Sequence, residues 1–163
     1  MEHVKTLSSA TLLRTKNIPL TYCKYKKVLS EDHLKSVVCN FHPTIQLIIH
    51  EILKHTEGLF EKYDHCYLNV KVRDLKTGDS GDDLNQVHLD WTNDPNHPNK
   101  EETHFLYTST GGTKFYVYDE VIGETLPNSI YKYHREYHQS PRVKSACKRV
   151  MIRLSFVDTL CQR

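Results

Sequence analysis

The sequence predicts a mainly β protein with supporting helices near its N-terminus, arranged as a sandwich or jelly roll. Three observations carry that expectation. Helical periodicity is confined to residues 1–64. Beyond them the chain breaks into short stretches rich in β-branched and aromatic residues, with turns between. No helical segment separates those stretches, and a parallel α/β sheet would need one. The chain has 163 residues, no internal repeat and no Pro/Gly-rich linker, so it reads as a single domain over 1–163. Its N-terminal strand and supporting helices fall in 1–64 and its strand-rich core in 65–163.

The elements follow in order. Residues 18–29 (IPLTYCKYKKVL) suit a strand. Ser30 is a helix N-cap, with Glu31 and Asp32 in the first turn where the positive end of the helix dipole favours acids. Pro43-Thr44 opens a second helix, expected to run to about Tyr63, whose Ile45, Leu47, Ile48, Ile52 and Leu53 form a helical stripe. Cys66, Leu68, Val70 and Val72 alternate with polar residues, as a half-buried strand does. A polar turn, KTGDSGDD, follows. Further strands are expected at 86–91, 103–109, 114–121, 129–138 and 149–156.

Composition narrows the function classes. Twenty-two Lys+Arg against 20 Asp+Glu leave a charge of +2, too small to steer nucleic acid or an acidic partner globally. Hydrophobic residues at 38% are enough for a core, which excludes wholesale disorder. No apolar stretch is long enough for a transmembrane helix, and Glu2 and Lys5 interrupt any secretion signal. Five scattered cysteines with no CxxC pair suit a reduced protein, so the expected location is intracellular and cytoplasmic, with no membrane partner.

The unusual feature is 11 histidines, which makes a metal site worth seeking. His50 and His55 are not a zinc-protease pair, because five positions place them roughly 140° apart on a helix. Asp79-Ser80-Gly81-Asp82-Asp83 lacks EF-hand spacing. There is no GxGxxG, P-loop or GxSxG. His88-Leu89-Asp90 is the better candidate. On a strand, positions i and i+2 share a face, so an imidazole and a carboxylate would stand side by side. Two histidines and one carboxylate on one side of a metal form the facial triad of non-haem Fe(II) oxygenases. His134 and His138 are both candidates for the third ligand, and even spacing puts both on one face of a strand.

The last predicted strand adds a second signal. Val150, Ile152, Leu154 and Phe156 form an apolar face, expected to pack on the helices. The opposite face carries Arg149, Met151, Arg153 and Ser155. Inward-facing arginines demand an anionic partner, and a bound dicarboxylate would satisfy them bidentately.

Taken together, QVHLDWT (86–92), HFLYTSTGGTKF (104–115) and YHQSPRVKSACKRVMIRLSF (137–156) resemble the Fe(II)/2-oxoglutarate-dependent oxygenases. Leu106-Tyr107 followed by Gly111-Gly112-Thr113 and Phe115 is similar to a family strand and turn. Arg149 and Arg153 lie 11 and 15 residues past His138, which looks like the taurine-dioxygenase-type arrangement, and Arg153-Leu154-Ser155 resembles an Arg-x-Ser cosubstrate motif. Counted from His134 the offsets are 15 and 19, so His138 is preferred. Cys147 stands where the family usually has Gly, and the choice between Arg149 and Arg153 stays open. The resemblance covers residues 86–156. It implies a double-stranded β-helix with Fe(II) on His88, Asp90 and His138. It implies 2-oxoglutarate held by Arg149 or Arg153, with Tyr107 or Ser155 adding a hydrogen bond. It further implies that O2 is consumed, that succinate and CO2 are released, and that a C–H bond is hydroxylated.

Trp91 and His134 are substrate-side candidates beside this site. The segments YCKYKK (22–27) and YKYHREYH (131–138) interleave aromatics with basic residues, a pattern that suits single-stranded nucleic acid. The short chain leaves little room for lids, which favours a protein side chain or a nucleobase over a free metabolite as substrate. The alternatives are a cupin-like metalloprotein that does not use 2-oxoglutarate and a non-catalytic jelly-roll binding module.

Overall fold

The structure, a computed structural model, describes residues 1–81, 86–90 and 101–158. Trp91, Asp82, Asp83 and Cys161 lie outside the described residues. The elements in chain order are β1 (Glu2–Thr6), α1 (Ser9–Thr15), β2 (Thr21–Val28), α2 (Glu31–Val38), α3 (Pro43–Leu53), α4 (Leu59–Lys62) and β3 (His65–Leu75). They continue with β4 (Glu102–Thr108), β5 (Lys114–Val117), β6 (Glu120–Glu124), β7 (Ser129–Tyr133), β8 (Tyr137–Gln139) and β9 (Cys147–Val157). The protein is mainly β, and every strand pairing is antiparallel.

The helix starts follow the local chemistry. Ser30 Oγ accepts the His33 N–H at 3.0 Å, and Glu31 and Asp32 occupy the first turn of α2. Pro43 opens α3, where its missing N–H costs nothing. The helix expected to reach Tyr63 stops instead at Leu53. Thr56 Oγ1 donates to the Leu53 carbonyl, and Gly58 turns the chain with φ of +79° before the short α4. β1 and α1 were not expected, and β1 is almost fully exposed, so it carries no alternation to read.

Strand order in the larger sheet is β1-β7-β4-β9-β3-β2, and in the smaller β6-β5-β8. Alternation divides the larger sheet into two faces. Val150, Ile152, Leu154 and Phe156 of β9 are buried against Leu34, Ile45, Ile48, Ile49 and Ile52, as expected. Each such side chain contributes about 1.5–3 kcal/mol of transfer free energy. The opposite face meets the smaller sheet through a second cluster of Leu106, Phe115, Tyr133 and Met151. This inter-sheet space holds the candidate site.

Two expected strands divide. Residues 114–121 form a β5–β6 hairpin that turns at Tyr118, with φ of +50°. Residues 129–138 change sheets: β7 pairs with β4 in the larger sheet and β8 with β5 in the smaller. His134 and His138 therefore do not sit on one strand, and strand parity does not relate them. No described helix is long and apolar enough to cross a membrane.

Candidate metal centre

His88 and His138 are placed by reciprocal backbone bonds. The His88 N–H donates to the His138 carbonyl at 2.9 Å, and the His138 N–H donates back at 3.0 Å. This isolated antiparallel bridge adds the His88 segment to β8, beside Phe115 of β5. Asp90 enters from the same segment two residues on.

The two imidazoles are oriented alike. Nδ1 of His88 lies 2.7 Å from the Gln86 carbonyl, and Nδ1 of His138 lies 3.1 Å from that of Glu136. A carbonyl only accepts, so each Nδ1 donates and each Nε2 is the nitrogen turned toward Asp90. This is how proteins commonly fix the tautomer of a ligating histidine. Asp90 Oδ1 lies 3.0 Å from His138 Nε2 and 3.7 Å from His88 Nε2. One donor atom from each of His88, Asp90 and His138 lies within 4.8 Å of the others, and all three side chains are buried. Such a cluster can hold a metal ion.

A second layer grips Asp90. Arg153 Nη1 donates to Oδ1 at 2.6 Å, and the Tyr133 hydroxyl donates to Oδ2. Burial pushes the Asp90 carboxyl up, but the charge of Arg153 beside it holds it well below the usual carboxylate range. Burial, and then the Asp90 charge, push the Tyr133 phenol well above its ordinary value, so it stays a proton donor. Arg153 in turn lies opposite Asn69 and Leu106 in the sheet.

The triad opens on a cleft between the sheets, lined also by Lys71, Thr113 and Arg149. Arg149 is 5% exposed and its guanidinium lies against the backbone of Gly81. A Cβ at Gly81 would come within 2.6 Å of Arg149 Cζ, so only glycine leaves the guanidinium its place. Thr113 Oγ1 is buried at the cleft with no hydrogen-bond partner among the described residues. A buried unsatisfied hydroxyl costs about 1–3 kcal/mol, which a ligand bond would recover.

The structure brings together His88, Asp90, His138, Arg149 and Arg153. It separates three other candidates. Tyr107 is on the wrong face of β4: it packs among the helix-side core, and its hydroxyl donates to Asn128 Oδ1 at 2.7 Å. Alternation puts its neighbour Leu106 in the cleft instead. Ser155 is on the cleft-side face but is taken up by His104 Nδ1 at 2.8 Å, and His104 also meets the buried Glu102 at 3.0 Å. His134 is exposed and its Nδ1 donates to the Glu102 carbonyl, outside the triad. Trp91 lies outside the described residues. Sequence reasoning missed Tyr133, Thr113, Gly81 and Lys71 as site residues. The alternation of Leu68, Val70 and Val72 puts Lys71 on the opposite face of β3, but no sequence signal said that this face lines a cleft.

No protein-family model, curated protein or solved structure matches this chain.

Proposed function

We propose that this protein is an Fe(II)- and 2-oxoglutarate-dependent dioxygenase that hydroxylates a C–H bond of a protein side chain or a nucleobase. On this reading the two facing sheets are the halves of a double-stranded β-helix. The observation that carries the proposal is the donor set. Two imidazoles and one carboxylate converge at one side of a cleft whose other described wall supplies a buried arginine and an unsatisfied hydroxyl.

The residues fit the groups. Two nitrogen donors and one carboxylate leave coordination positions open and suit Fe(II). His88, Asp90 and His138 would hold the ion. Arg149 would pair the far carboxylate of 2-oxoglutarate, with Thr113 donating a hydrogen bond. Arg153 is the weaker cosubstrate candidate, because its guanidinium is committed to Asp90. Bound together, Fe(II) and 2-oxoglutarate supply activation of O2, with decarboxylation to succinate and CO2 coupled to substrate hydroxylation. The chain's own contribution is positional. Gln86 and Glu136 carbonyls orient the imidazoles, Arg153 and Tyr133 hold the carboxylate ionised, and Gly81 leaves room for Arg149.

The test is an anaerobic titration with Fe(II) and 2-oxoglutarate, followed by visible absorption. A weak metal-to-ligand band is expected in the wild type and in His134→Ala. It should be absent in His88→Ala, Asp90→Ala and His138→Ala. A folded, metal-loaded protein that shows no band would overturn the cosubstrate assignment and leave a metalloprotein of cupin-like chemistry.

A further inference from the structure

The two segments that interleave aromatic and basic residues expose them to different degrees. Tyr131 and Tyr133 are 4% and 1% exposed, which leaves Tyr137, at 36%, as the accessible tyrosine of the 131–138 segment. β2 is different. It is an edge strand of the larger sheet, and Tyr22 is 64% exposed. Thr21–Val28 contains Lys24, Lys26 and Lys27, all exposed, and no acid.

A β-bulge aims this strand at the site. The pairing with β3 slips between Cys23 and Lys26, and Tyr25 takes φ of +52°. Its N–H is held by Asn69 Oδ1 at 2.9 Å. The bulge brings the Tyr25 ring to 5.9 Å from Arg153 Cζ, the same guanidinium that grips Asp90. Lys24 Nζ lies 5.5 Å from that ring. Beside it, Tyr22 pairs with Lys71, whose Nζ sits 5.8 Å from the Tyr22 ring and which also lines the cleft. Two aromatic–cation pairs, Tyr22 with Lys71 and Tyr25 with Arg153, thus lie between the sheet edge and the candidate site.

We infer that the β2 edge with Lys71 is a docking platform for single-stranded nucleic acid, which feeds one base into the cleft. The inference rests on the dioxygenase reading and names its substrate class. Exposed tyrosine offers a π-face to any unpaired base, and lysines spaced along one strand follow a phosphate backbone. A peptide adding to the edge is disfavoured, because the bulge and the Tyr25–Asn69 bond interrupt the ladder it would need.

Fluorescence anisotropy with labelled dT15, rU15 and a 15-base-pair duplex tests this, on the full chain loaded with Fe(II) and 2-oxoglutarate without O2. Single strands should bind more tightly than duplex, and whichever of dT15 and rU15 binds better identifies the source. Tyr22→Ala should weaken binding about tenfold. Lys24→Glu with Lys27→Glu should abolish it at physiological salt and flatten the salt dependence. All three residues are exposed or at the edge, and the absorption band should survive in each variant. Binding that is absent, unchanged in the variants, or displaced equally by poly-glutamate of matched charge overturns the inference while the band stands. Loss of the band in wild type, with oligonucleotide binding intact, overturns the iron and 2-oxoglutarate reading and keeps the platform.

Discussion

Asp90 is the residue on which the site turns. It is 4% exposed, and a carboxylate so buried stays ionised because Arg153 and Tyr133 donate to it. Removing one of these partners tests their role without removing a ligand. Tyr133→Phe should keep the fold, since the ring still packs on Phe115 at 4.9 Å, and should weaken Fe(II) binding by about 10–100-fold in an anaerobic titration. Gly81→Ala probes the other end of the cleft. Its methyl would displace the Arg149 guanidinium, so KM for 2-oxoglutarate should rise about tenfold or more, with Fe(II) affinity unchanged. The His88, Asp90 and His138 cluster was legible as residue types and spacings. Tyr107 was misplaced because a motif match says nothing about which face of a strand a residue takes. Its two neighbours in register, Ile130 and Ile152, belong to the helix-side core and carry it with them.

At the level of elements, periodicity and capping predicted most of what formed. The apolar residues of β3 and β9 fall at alternate positions, and α2 starts where Ser30 requires. The misses share a cause. A strand that changes sheets, as 129–138 does, keeps its β-forming composition while its two ends pair with different partners. The edge element β1 is held by contacts that its own sequence does not announce. One of these is Lys5, whose Nζ donates to Glu51 of α3 at 2.8 Å. Bonds from Lys5 and Lys54 hold the Glu51 carboxyl below its ordinary value. A carboxyl lowered on folding adds stability above the unfolded pKa and loses it as pH falls through the folded one. Glu51→Gln should therefore cost about 0.5 kcal/mol at pH 7, the size of a screened surface pair. In urea unfolding the variant and wild type should converge as pH drops below about 4.

At the level of the whole molecule, the site exists only where two sheets meet. His88 and His138 lie on the smaller sheet's side, while Arg149, Arg153 and Tyr133 come from the larger. A metal bound there links folding to ligand concentration. Mn(II), which is redox-inert in air, should raise Tm by about 5–10 °C at 100 times its Kd. Differential scanning calorimetry should show that shift in wild type and none in His88→Ala or His138→Ala, and an unchanged shift in His134→Ala.

Local chemistry was enough to foresee a mainly β chain buttressed by helices, the apolar face of β9, and a His-x-Asp pair with distal His and Arg residues. These follow from short-range rules: alternation, capping and the donor atoms each side chain carries. The diversion of Arg153 onto Asp90, the seat of Arg149 on Gly81 and the recruitment of Tyr133 and Thr113 needed the fold. Each depends on which strands pair and which faces close on one another, and those are long-range contacts made between segments far apart in the chain.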